Sequence, residues 1–581
     1  MMQLPVIVGF GGFNSAGRSS FHQGFGRMVI ESLPISQQRE VLHGLSTMTG
    51  MARYDKGRYV NTENTQANEG ETFDLDAATE QLKSATLIRE FGLPPAPYSD
   101  AWYQKLKVSS AGALPSGFDP GRYYPSRFHP RGLQMAMMGV SDAIHSMGIP
   151  WLQVMNRILP DQVGVYASSG MAQCDDFGYR GLFQSRMQGR HVSAKQLPLG
   201  LNSMPTDFIN AYVLGSVGST TSATGACASF LYNLRLGVED IQSGRRRVVI
   251  VGNSEAPLTQ EIMDGYAVMG ALATDAALCH LDQSGTPDHR RASRPFGENC
   301  GFTLAESSQF VVLMDDALAV ELGAGIHGAV TDVFINADGY KHSISSPGAG
   351  NYITLAKAAA SVRALLGDSV LQNASWVQSH GSSTPQNRVS ESQILHRIAE
   401  TFNIDQWPVT AVKSYVGHSL AAAGGDQLMA TLGTFCHQLL PGIKTIERVA
   451  DDVFSQRLQI SNTDVGRDDE SPLQVSLVNA KGFGGNNATA VVLSPQVVRE
   501  MLQKRYGAPD WVSYQKAQEA VSRQAEEYHQ RALCGDLAPR YQFGQGVLTD
   551  QDIHLTMDAI TLEGFRHSIP LPTQSPYADM V

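Results

Sequence analysis

The stretch from Gly218 to Gly244 decides the fold, and it is GSTTSATGACASFLYNLRLGVEDIQSG. Small residues precede Cys227, and an amphipathic pattern follows it at once. The apolar residues after Cys227 recur at helical spacing: Phe230, Leu231, Leu234, Val238 and Ile241. Gly244 supplies a helix stop before the apolar segment VVIVG. The pattern therefore predicts a helix that begins just after Cys227.

Cys227 has two interpretations at this point. The first N–H groups of a helix have no intrahelical partner, and the positive end of the helix dipole favours a thiolate, so a cysteine there can be a nucleophile. A buried cysteine is more often a small apolar side chain of the core. The stretch alone leaves both interpretations open.

Length and composition limit the class of protein. A chain of 581 residues exceeds one simple core and predicts two domains or one large duplicated fold. The composition, 42% hydrophobic and 17% charged, is typical of a soluble globular protein. No run approaches the roughly 18 apolar residues of a membrane helix, so we expect no membrane association.

The net charge and the cysteine content limit the binding partners and the cellular location that we expect. A formal net charge of -11 argues against nonspecific nucleic-acid binding. The six cysteines show no CxxC motif and no paired spacing, which predicts a reduced, cytoplasmic location without structural zinc or disulfides. The first residues, MMQLPVIVGFGGFNSAGRSS, predict a strand that enters a glycine turn rather than a signal peptide.

Short β-branched segments alternate with helical patterns along the chain. They lie at 6–10, 163–167, 248–252, 309–314, 330–335, 375–379, 409–412, 475–479 and 488–493. This alternation predicts an α/β protein with buried, mostly parallel strands. In each half a helix, a strand, a glycine-rich segment and a closing strand follow in the same order. The order predicts a duplication, although no identity between the halves is visible.

The predicted organisation has three parts. Residues 1–330 form an N-terminal half, in which about 40–130 is a cap insertion because it contains the polar run DKGRYVNTENTQANEGET and the proline-rich FGLPPAPYSDAW. Residues 331–495 form a C-terminal half, and 496–581 a C-terminal extension. The extension is charged and helical to about 534 and then loop-like. It is either an oligomer or partner element or a helix packed on the outside.

Two histidine stretches change the reading of Cys227. VQSHGSSTPQNRVSE puts His380 at the end of a strand, and VKSYVGHSLAAAGG places Lys413 after another strand with His418 opening a helix. Each histidine alone is most simply structural. Strand ends meet at one site in this type of fold, however, so all three residues are expected together. The glycine-rich loop NAKGFGGNNA offers N–H groups for an oxyanion.

The set TGACAS, SHGSSTP, KSYVGHSLAAAG and GFGGNNA, in that order, closely resembles the β-ketoacyl synthases, the condensing enzymes of the thiolase superfamily. It matches their Cys-His-His class over roughly 150–495 and at the N-terminal strand. The resemblance implies the thiolase fold, with a duplicated α/β/α/β/α five-layered core, and a homodimer. The segments PVIVGFGGFNSAGRSSF and HGSSTPQNR, together with the large cap, most resemble the long FabY-type initiating synthases of Gram-negative bacteria.

The resemblance implies a role for each matching residue. Cys227 would be acylated by a thioester, and His380 and His418 would stabilise the negative oxygen that forms as a malonyl group loses carbon dioxide. Lys413 would hold charge near the histidines, and Glu391 would anchor them.

Further residues match the family's substrate-binding positions. The backbone N–H groups of Cys227 and Phe483 would form the oxyanion hole, and Phe483 would be the gate residue. The remaining matches are Ser382 and Thr384 for the phosphopantetheine arm, and Tyr266 and Met269 for the acyl pocket.

The implied reaction is a decarboxylative Claisen condensation of an acyl primer with malonyl-acyl carrier protein. The subfamily match implies acetyl-CoA as the primer and the initiation step of bacterial fatty-acid biosynthesis. Substrates would be carried as thioesters on CoA or acyl carrier protein, with no organic cofactor and no catalytic metal. The partners implied are acyl carrier protein, acyl-CoA and a malonyl thioester.

Alternatives from other classes remain. An elongating ketosynthase of fatty-acid, polyketide or polyunsaturated-lipid synthesis would share the same motifs and take carrier-bound chains. A degradative thiolase needs a second cysteine in the last loop, and NAKGFGGNNA contains none. A catalytically silent scaffold would have lost the cysteine or a histidine. The basic segment GRRRVV (244–249) is either a solvated edge or a docking patch for an acidic carrier protein.

Three residues depart from the family pattern. Arg388 stands where an aspartate is common, Lys481 where an aromatic residue is usual, and Asn486 where a threonine is common. These departures affect the expected support network and acyl channel rather than the nucleophile or the histidine pair.

Overall fold

The computed structural model describes residues 2–50, 52–55, 58–61, 89–90, 106–340, 348–467 and 471–581. About half of the predicted cap at about 40–130 lies outside these residues, which include 40–50, 52–55, 58–61, 89–90 and 106–130 from it. Within the described ranges, no helix has the length and apolar character needed to cross a membrane.

A 12-stranded mixed sheet forms the frame of the molecule, and ten of its strands build two halves. The first five are β1 Pro5–Asn14, β2 Val163–Ser168, β3 Ser219–Thr221, β4 Val248–Glu255 and β5 Ser307–Asp315. The second five are β6 Gly328–Ala337, β7 Ser375–Gln378, β8 Trp407–Thr410, β9 Val475–Gly482 and β10 Asn486–Leu493. The two remaining strands, Gly17–Arg18 and Leu458–Gln459, pair with β1 and β8.

The two halves have the same topology. The strand order is β1-β5-β4-β2-β3 in the first half and β6-β10-β9-β7-β8 in the second. Corresponding pairs also run in the same directions. The halves meet where β1 pairs with β6 through Val6 opposite Ala329 and Ile7 opposite Gly328. This repeat confirms the predicted duplication.

The expectation of mostly parallel strands holds for strand direction within each half, where four of the five strands run the same way, but the sheet as a whole is mixed. Pairing is parallel within β4-β2-β3 and within β9-β7-β8. Strands β5 and β10 are antiparallel to both of their neighbours. The reason in the second half is local, because the short Phe483–Gly485 loop between β9 and β10 reverses the chain and leaves no length for a parallel crossover.

Helices complete the layers. In chain order they are α1 Gln23–Met28, α2 Ile35–Met48, α3 Arg131–Ser146, α4 Trp151–Met155, α5 Tyr179–Gln184, α6 Gln196–Leu199, α7 Met204–Phe208, α8 Ser229–Gln242, α9 Gln260–Val268, α10 Asp275–Leu281, α11 Asp316–Leu322, α12 Ala349–Leu366, α13 Asp368–Asn373, α14 Pro385–Thr401, α15 Lys413–Val416, α16 Ala423–His437 and α17 Pro495–Leu533. A π-helical turn spans Ile209–Leu214.

Helices α8 and α16 form the central layer. They contact each other, and each contacts strands of both halves. Helix α3 covers the first half from outside and α12 covers the second. The residues of α16 from Ala423 to Phe435 are all buried, as expected for a helix enclosed on every side. The result is the five-layered α/β/α/β/α core.

The C-terminal extension packs on this core. Helix α17, which is interrupted at Gly507 (φ 77°), is tied down along its length. The Tyr528 hydroxyl donates to Asp142 at 2.7 Å, and the Tyr514 hydroxyl donates to the Ala324 carbonyl at 3.0 Å. These contacts favour the interpretation of a helix packed on the outside.

Two details of the predicted organisation differ from the structure. The part of the extension after 534 is not only loop, since Ile553–Leu555, Ala559–Leu562 and Ile569–Pro570 form a small antiparallel sheet. The boundaries predicted at about 40 and at 330 fall inside α2 and β6. Other short strands are Ala52–Asp55, Arg58–Asn61, Arg89–Glu90, Ser110–Ala111, Leu439–Leu440 and Val465–Gly466.

Candidate active site

Cys227 lies in a tight turn between β3 and α8. Ala226 adopts a left-handed conformation with φ 51°, and α8 begins two residues after the cysteine. Ser229 fixes the turn, since its hydroxyl accepts the Gly225 N–H at 2.9 Å and donates to the Ala226 carbonyl at 2.6 Å. The Cys227 side chain is only 4% exposed. The predicted position at a helix start is confirmed.

The expected bias toward the thiolate is not what the surroundings give. Burial raises the pKa of the Cys227 thiol to about 11, and the Lys413 charge opposes this only in part. The loss of hydration outweighs the positive charges and dipoles nearby. The backbone N–H groups of Phe483 and of Cys227 itself donate to the sulfur, so both predicted oxyanion donors converge there.

His380 lies two residues after the end of β7 and is 3% exposed. Its Nδ1 atom accepts the backbone N–H of Lys481 at 3.2 Å. A nitrogen that accepts a hydrogen bond carries no proton, so this contact assigns the ring proton to Nε2. Burial, with the Lys413 charge second, keeps the pKa of His380 well below its ordinary 6.5. His380 is therefore a neutral Nε2–H donor.

His418 repeats this arrangement. Its Nδ1 atom accepts the Leu420 N–H at 3.2 Å, which also leaves the proton on Nε2. Burial, then Lys413, lowers the pKa of His418 well below 6.5. The centroids of the His380 and His418 rings are 5.4 Å apart, with an angle of 82° between the rings. The structure thus brings the predicted histidine pair together as two neutral donors.

Lys413 and Glu391 hold His380 by its backbone. The Lys413 ammonium donates to the His380 carbonyl. Glu391, fully buried on α14, accepts the N–H groups of His380 at 2.7 Å and Gly381 at 2.9 Å. Burial lowers the pKa of Lys413 to about 8, while Glu391 and Cys227 oppose that shift. Both residues lie where the family resemblance places them.

The loop that carries Phe483 is fixed by Asn486. Gly484 and Gly485 both have φ 85°, a conformation that favours glycine. The Asn486 amide donates to the Phe483 carbonyl at 2.8 Å, and its oxygen accepts the Tyr232 hydroxyl at 3.1 Å. Asn486, which stands where the family commonly has a threonine, therefore connects the Phe483 loop to α8. The half-buried Phe483 ring lies 5.9 Å from the Tyr266 ring.

The predicted pantetheine residues lie at the start of α14. Ser382 and Thr384 are both buried, with 3.3 Å between their hydroxyl oxygens. Their role in binding stays a prediction.

Of the two predicted acyl-pocket residues, the structure places one beside the nucleophile. Tyr266 packs against the apolar cluster that includes Cys227, Met263 and Phe302, and its ring centroid is 5.7 Å from that of Phe302. Met269 lies beyond the end of α9, is 40% exposed and is not in this cluster. The side of α9 that faces Cys227 carries Met263, which sequence reasoning missed.

The departure at Arg388 is explained by its ion pairs. The Arg388 guanidinium donates to both carboxylate oxygens of Asp452 at 2.8 and 2.9 Å and to Glu298 at 3.2 Å. It connects α14 to two loops and does not join the histidine site. In the GRRRVV segment, Arg245 pairs with Asp240 and Arg247 with Asp315, which favours a structural role over a docking patch.

Two buried carboxyl groups near the site were missed. Asp426 on α16 accepts hydrogen bonds from Asn14 and Ser307 of the first half and from Ser419, the neighbour of His418. Glu255, at the end of β4, is fully buried, and burial raises its pKa to about 8. No local spacing marks either residue, because their partners are distant in sequence. Among the described residues, no three His, Cys, Asp or Glu side chains are grouped as a metal site requires.

Comparison with known proteins decides the family. The Beta-ketoacyl synthase, N-terminal domain model matches residues 125–319, and the C-terminal domain model matches residues 327–447. A Beta-ketoacyl-[acyl-carrier-protein] synthase FabY of Pseudomonas aeruginosa is 50% identical over all of both chains. This chain belongs to the β-ketoacyl synthase family. It is therefore a condensing enzyme with the thiolase fold, as the motifs predicted.

Other relatives agree with this assignment. The crystal structure of the ketosynthase FabY from P. aeruginosa matches with a TM-score of 0.95 and 50% identity, covering 100% of this chain and 99% of that one. A 3-oxoacyl-[acyl-carrier-protein] synthase 2 of Synechocystis is 27% identical over 58% of this chain and 76% of its own length. The similarity to FabY thus includes the extension and the described cap residues, whereas the shorter synthase matches only part of the chain.

Proposed function

We propose that this synthase condenses an acetyl primer from acetyl-CoA with malonyl-acyl carrier protein and so initiates fatty-acid synthesis. The observation that carries the proposal is the convergence of one buried thiol, two oxyanion N–H donors and two neutral imidazole donors. This set fits a reaction that forms an acyl-enzyme and then an enolate. The two N–H groups serve the acyl-transfer step, and the two imidazole groups serve the enolate.

The first half-reaction uses Cys227. Its sulfur attacks the thioester carbonyl of the primer, and the N–H groups of Cys227 and Phe483 donate hydrogen bonds to the developing oxyanion. The carbon–sulfur bond to CoA breaks, and the leaving thiolate takes the proton that Cys227 loses. Since burial keeps the Cys227 thiol protonated at neutral pH, this proton transfer belongs to the step.

The second half-reaction uses the histidines. The carboxylate of the malonyl thioester leaves as carbon dioxide, and the electron pair moves to the thioester oxygen to give an enolate. The Nε2–H groups of His380 and His418 donate to that oxygen. The enolate carbon then attacks the acyl group on Cys227, the carbon–sulfur bond breaks, and the sulfur regains a proton.

A short primer is supported by the surroundings of the nucleophile. Three aromatic rings lie close together next to the apolar cluster that contains Cys227. The Tyr266 ring is adjacent to those of Phe302 and Phe483. Such bulky groups restrict the length of an acyl chain. The similarity to FabY extends over the full length of the chain. Since the sequence resembles the long initiating synthases, this similarity also favours a short primer.

The partners follow from the same proposal. The malonyl group would arrive on acyl carrier protein, as the name of the Pseudomonas relative indicates for that protein. A homodimer is supported by β3, which ends the main sheet and pairs with β2 on one side. Within the described residues, no strand of this chain covers its other edge, and an open edge favours pairing with a second copy.

Intact-protein mass spectrometry tests the primer. Purified enzyme is exposed to acetyl-CoA and, separately, to a medium-chain acyl-carrier protein, with Cys227→Ala as the control. We expect an acetyl adduct from acetyl-CoA that is absent in the variant. An adduct only from the medium-chain carrier protein would make this an elongating enzyme, and no adduct from either would reject Cys227 as the nucleophile for these donors.

A further inference from the structure

Lys481 is a buried cation beside the histidine pair that the family pattern does not supply. Its side chain is 1% exposed at the end of β9, where the family usually has an aromatic residue. The ammonium nitrogen lies 3.1 Å from the Ser390 hydroxyl on α14. A charged group is rarely buried unless its position serves the structure or the reaction.

Lys481 also contacts His380 through its backbone. Its N–H donates to the Nδ1 atom at 3.2 Å, which is the bond that assigns the His380 proton to Nε2. One residue therefore presents two groups to the site: an amide that accepts only an unprotonated Nδ1, and a positive charge held nearby.

We propose that Lys481 is a positioning residue of the condensation, whose amide orients His380 and whose ammonium, held on Ser390, excludes a second proton from that ring. This inference rests on the proposed function. A protonated Nδ1 would point its hydrogen at the Lys481 N–H, so the ring would have to turn away and its Nε2–H would leave the enolate.

The surrounding charges agree with this role. The groups that face His380 are Lys413 on α15, Lys481 on β9 and the neutral His418, while Glu391 on α14 binds the His380 and Gly381 N–H groups. Burial lowers the pKa of His380 most, and Lys413, His418 and then Lys481 lower it further.

Two carboxylates favour the charged form of Lys481 and partly offset its burial. Burial lowers the pKa of Lys481, and the carboxylates of Glu391 and Asp338 oppose that shift. Asn479, two residues earlier on β9, donates to Glu391 at 2.9 Å, so the strand binds α14 through both side chains.

The variant Lys481→Met tests the charge. It removes the ammonium but keeps the backbone amide and an apolar stem of similar length. We expect the acid limb of the kcat–pH profile for carbon dioxide release from malonyl-acyl carrier protein to move toward neutral pH by about one unit. At pH 8 we expect a smaller loss of kcat than at pH 6, because His380 is neutral in both proteins at the higher pH.

Two further variants control this result. Lys481→Arg keeps a positive charge and is expected to retain the wild-type acid limb. Lys444→Met removes another partly buried lysine, which pairs with Glu31 and Asp464 and is not among the charges that act on His380, and should leave the profile unchanged. An unshifted acid limb in Lys481→Met, or an equal shift in Lys481→Arg, would overturn the proposal.

An NMR titration of the wild-type enzyme labelled with ¹³C-histidine tests the neutral state of His380 that the proposal requires, even if the variants fold poorly. The His380 signal is identified by its loss in His380→Asn. We expect it to keep the chemical shifts of a neutral Nε2–H ring below the ordinary pKa of 6.5, whereas titration near that value would overturn the role of Lys481. A wild type that releases no carbon dioxide would reject the proposed function, and the titration would still report on Lys481.

Discussion

The two halves of the core share one topology but present different chemistry to the site. Cys227 follows β3 and precedes α8, and His418 follows β8 and precedes α16, so the nucleophile and one histidine occupy corresponding positions. The end of β7 adds His380, whereas β2, its counterpart in the first half, ends at Ser168. The comparison teaches that the duplicated scaffold fixes where groups converge, and the side chain at each position decides what they do.

The largest expected effects come from removing Cys227 in the first half or His418 in the second, since each should affect a different reaction step. Cys227→Ala should lower condensation by more than about 10³-fold because no acyl-enzyme can form, yet it should still release carbon dioxide from malonyl-acyl carrier protein. His418→Ala should lower carbon dioxide release by about 10²-fold, since one enolate donor is lost. Product formation and ¹⁴CO₂ release measured on both variants check this.

Either of two results would contradict the assignment of acylation to Cys227 and of carbon dioxide release to His418. One is a Cys227→Ala enzyme that loses carbon dioxide release as completely as condensation. The other is a His418→Ala enzyme with wild-type release. Acetylation of Cys227 by acetyl-CoA in the His418 variant serves as the control for folding, because that step needs only the first half and the Phe483 loop.

A second, smaller effect tests what joins the halves. Asp426 accepts hydrogen bonds from Asn14 at 2.9 Å, Ser307 at 2.7 Å and Ser419 at 2.5 Å, so it links the first half to the segment that carries His418. Asp426→Ala should lower the free energy of unfolding by about 3 kcal/mol, because these buried donors lose their acceptor. Chemical denaturation measures the change.

The matched control is a carboxylate on the surface. The Asp405 side chain is 89% exposed and pairs with Arg457, so Asp405→Ala should change stability by less than about 0.5 kcal/mol. Equal effects of the two substitutions would show that Asp426 contributes no more than a surface group.

The smallest expected effect concerns the protonation of Cys227. Since burial raises the pKa of Cys227 to about 11, its alkylation by iodoacetamide should rise about tenfold per pH unit from pH 6 to 8. Above the Lys413 pKa of about 8 the rise should weaken, because loss of that positive charge raises the Cys227 pKa further. Peptide mass spectrometry follows Cys227 separately from the exposed Cys436 and Cys534.

Two outcomes sharpen this last prediction. In Lys413→Met the alkylation rate should be lower from the start, because the Cys227 pKa is higher, and its rise with pH should show no weakening near pH 8. A wild-type alkylation rate that is already maximal below pH 7 would mean that the helix start stabilises the thiolate more than burial disfavours it.

Much of the site follows from the sequence because its residues stand in local patterns. Cys227 precedes an apolar helix pattern, His380 ends a β-branched segment, and Phe483 stands between glycines. Each pattern depends on neighbours within a few residues, so it can be read along the chain. The quoted motifs also carried the family resemblance, and with it Lys413 and Glu391.

Other features depend on contacts between distant segments. The antiparallel placement of β5 and β10, the two-residue junction of β1 with β6 and the Asp426 link have no local signature. The same holds for Met269, where the stretch matched the family but the end of α9 turned the residue toward solvent.

The sequence by itself determined the fold class and the family and predicted the nucleophile and the histidine pair, since these reside in periodicity and short motifs. Only the tertiary structure decided the protonation states. Burial sets the pKa of Cys227 and keeps both imidazoles neutral, and the N–H groups of Lys481 and Leu420 place their protons on Nε2. The physical reason is that desolvation and hydrogen-bond partners belong to a folded site, and a linear pattern does not contain them.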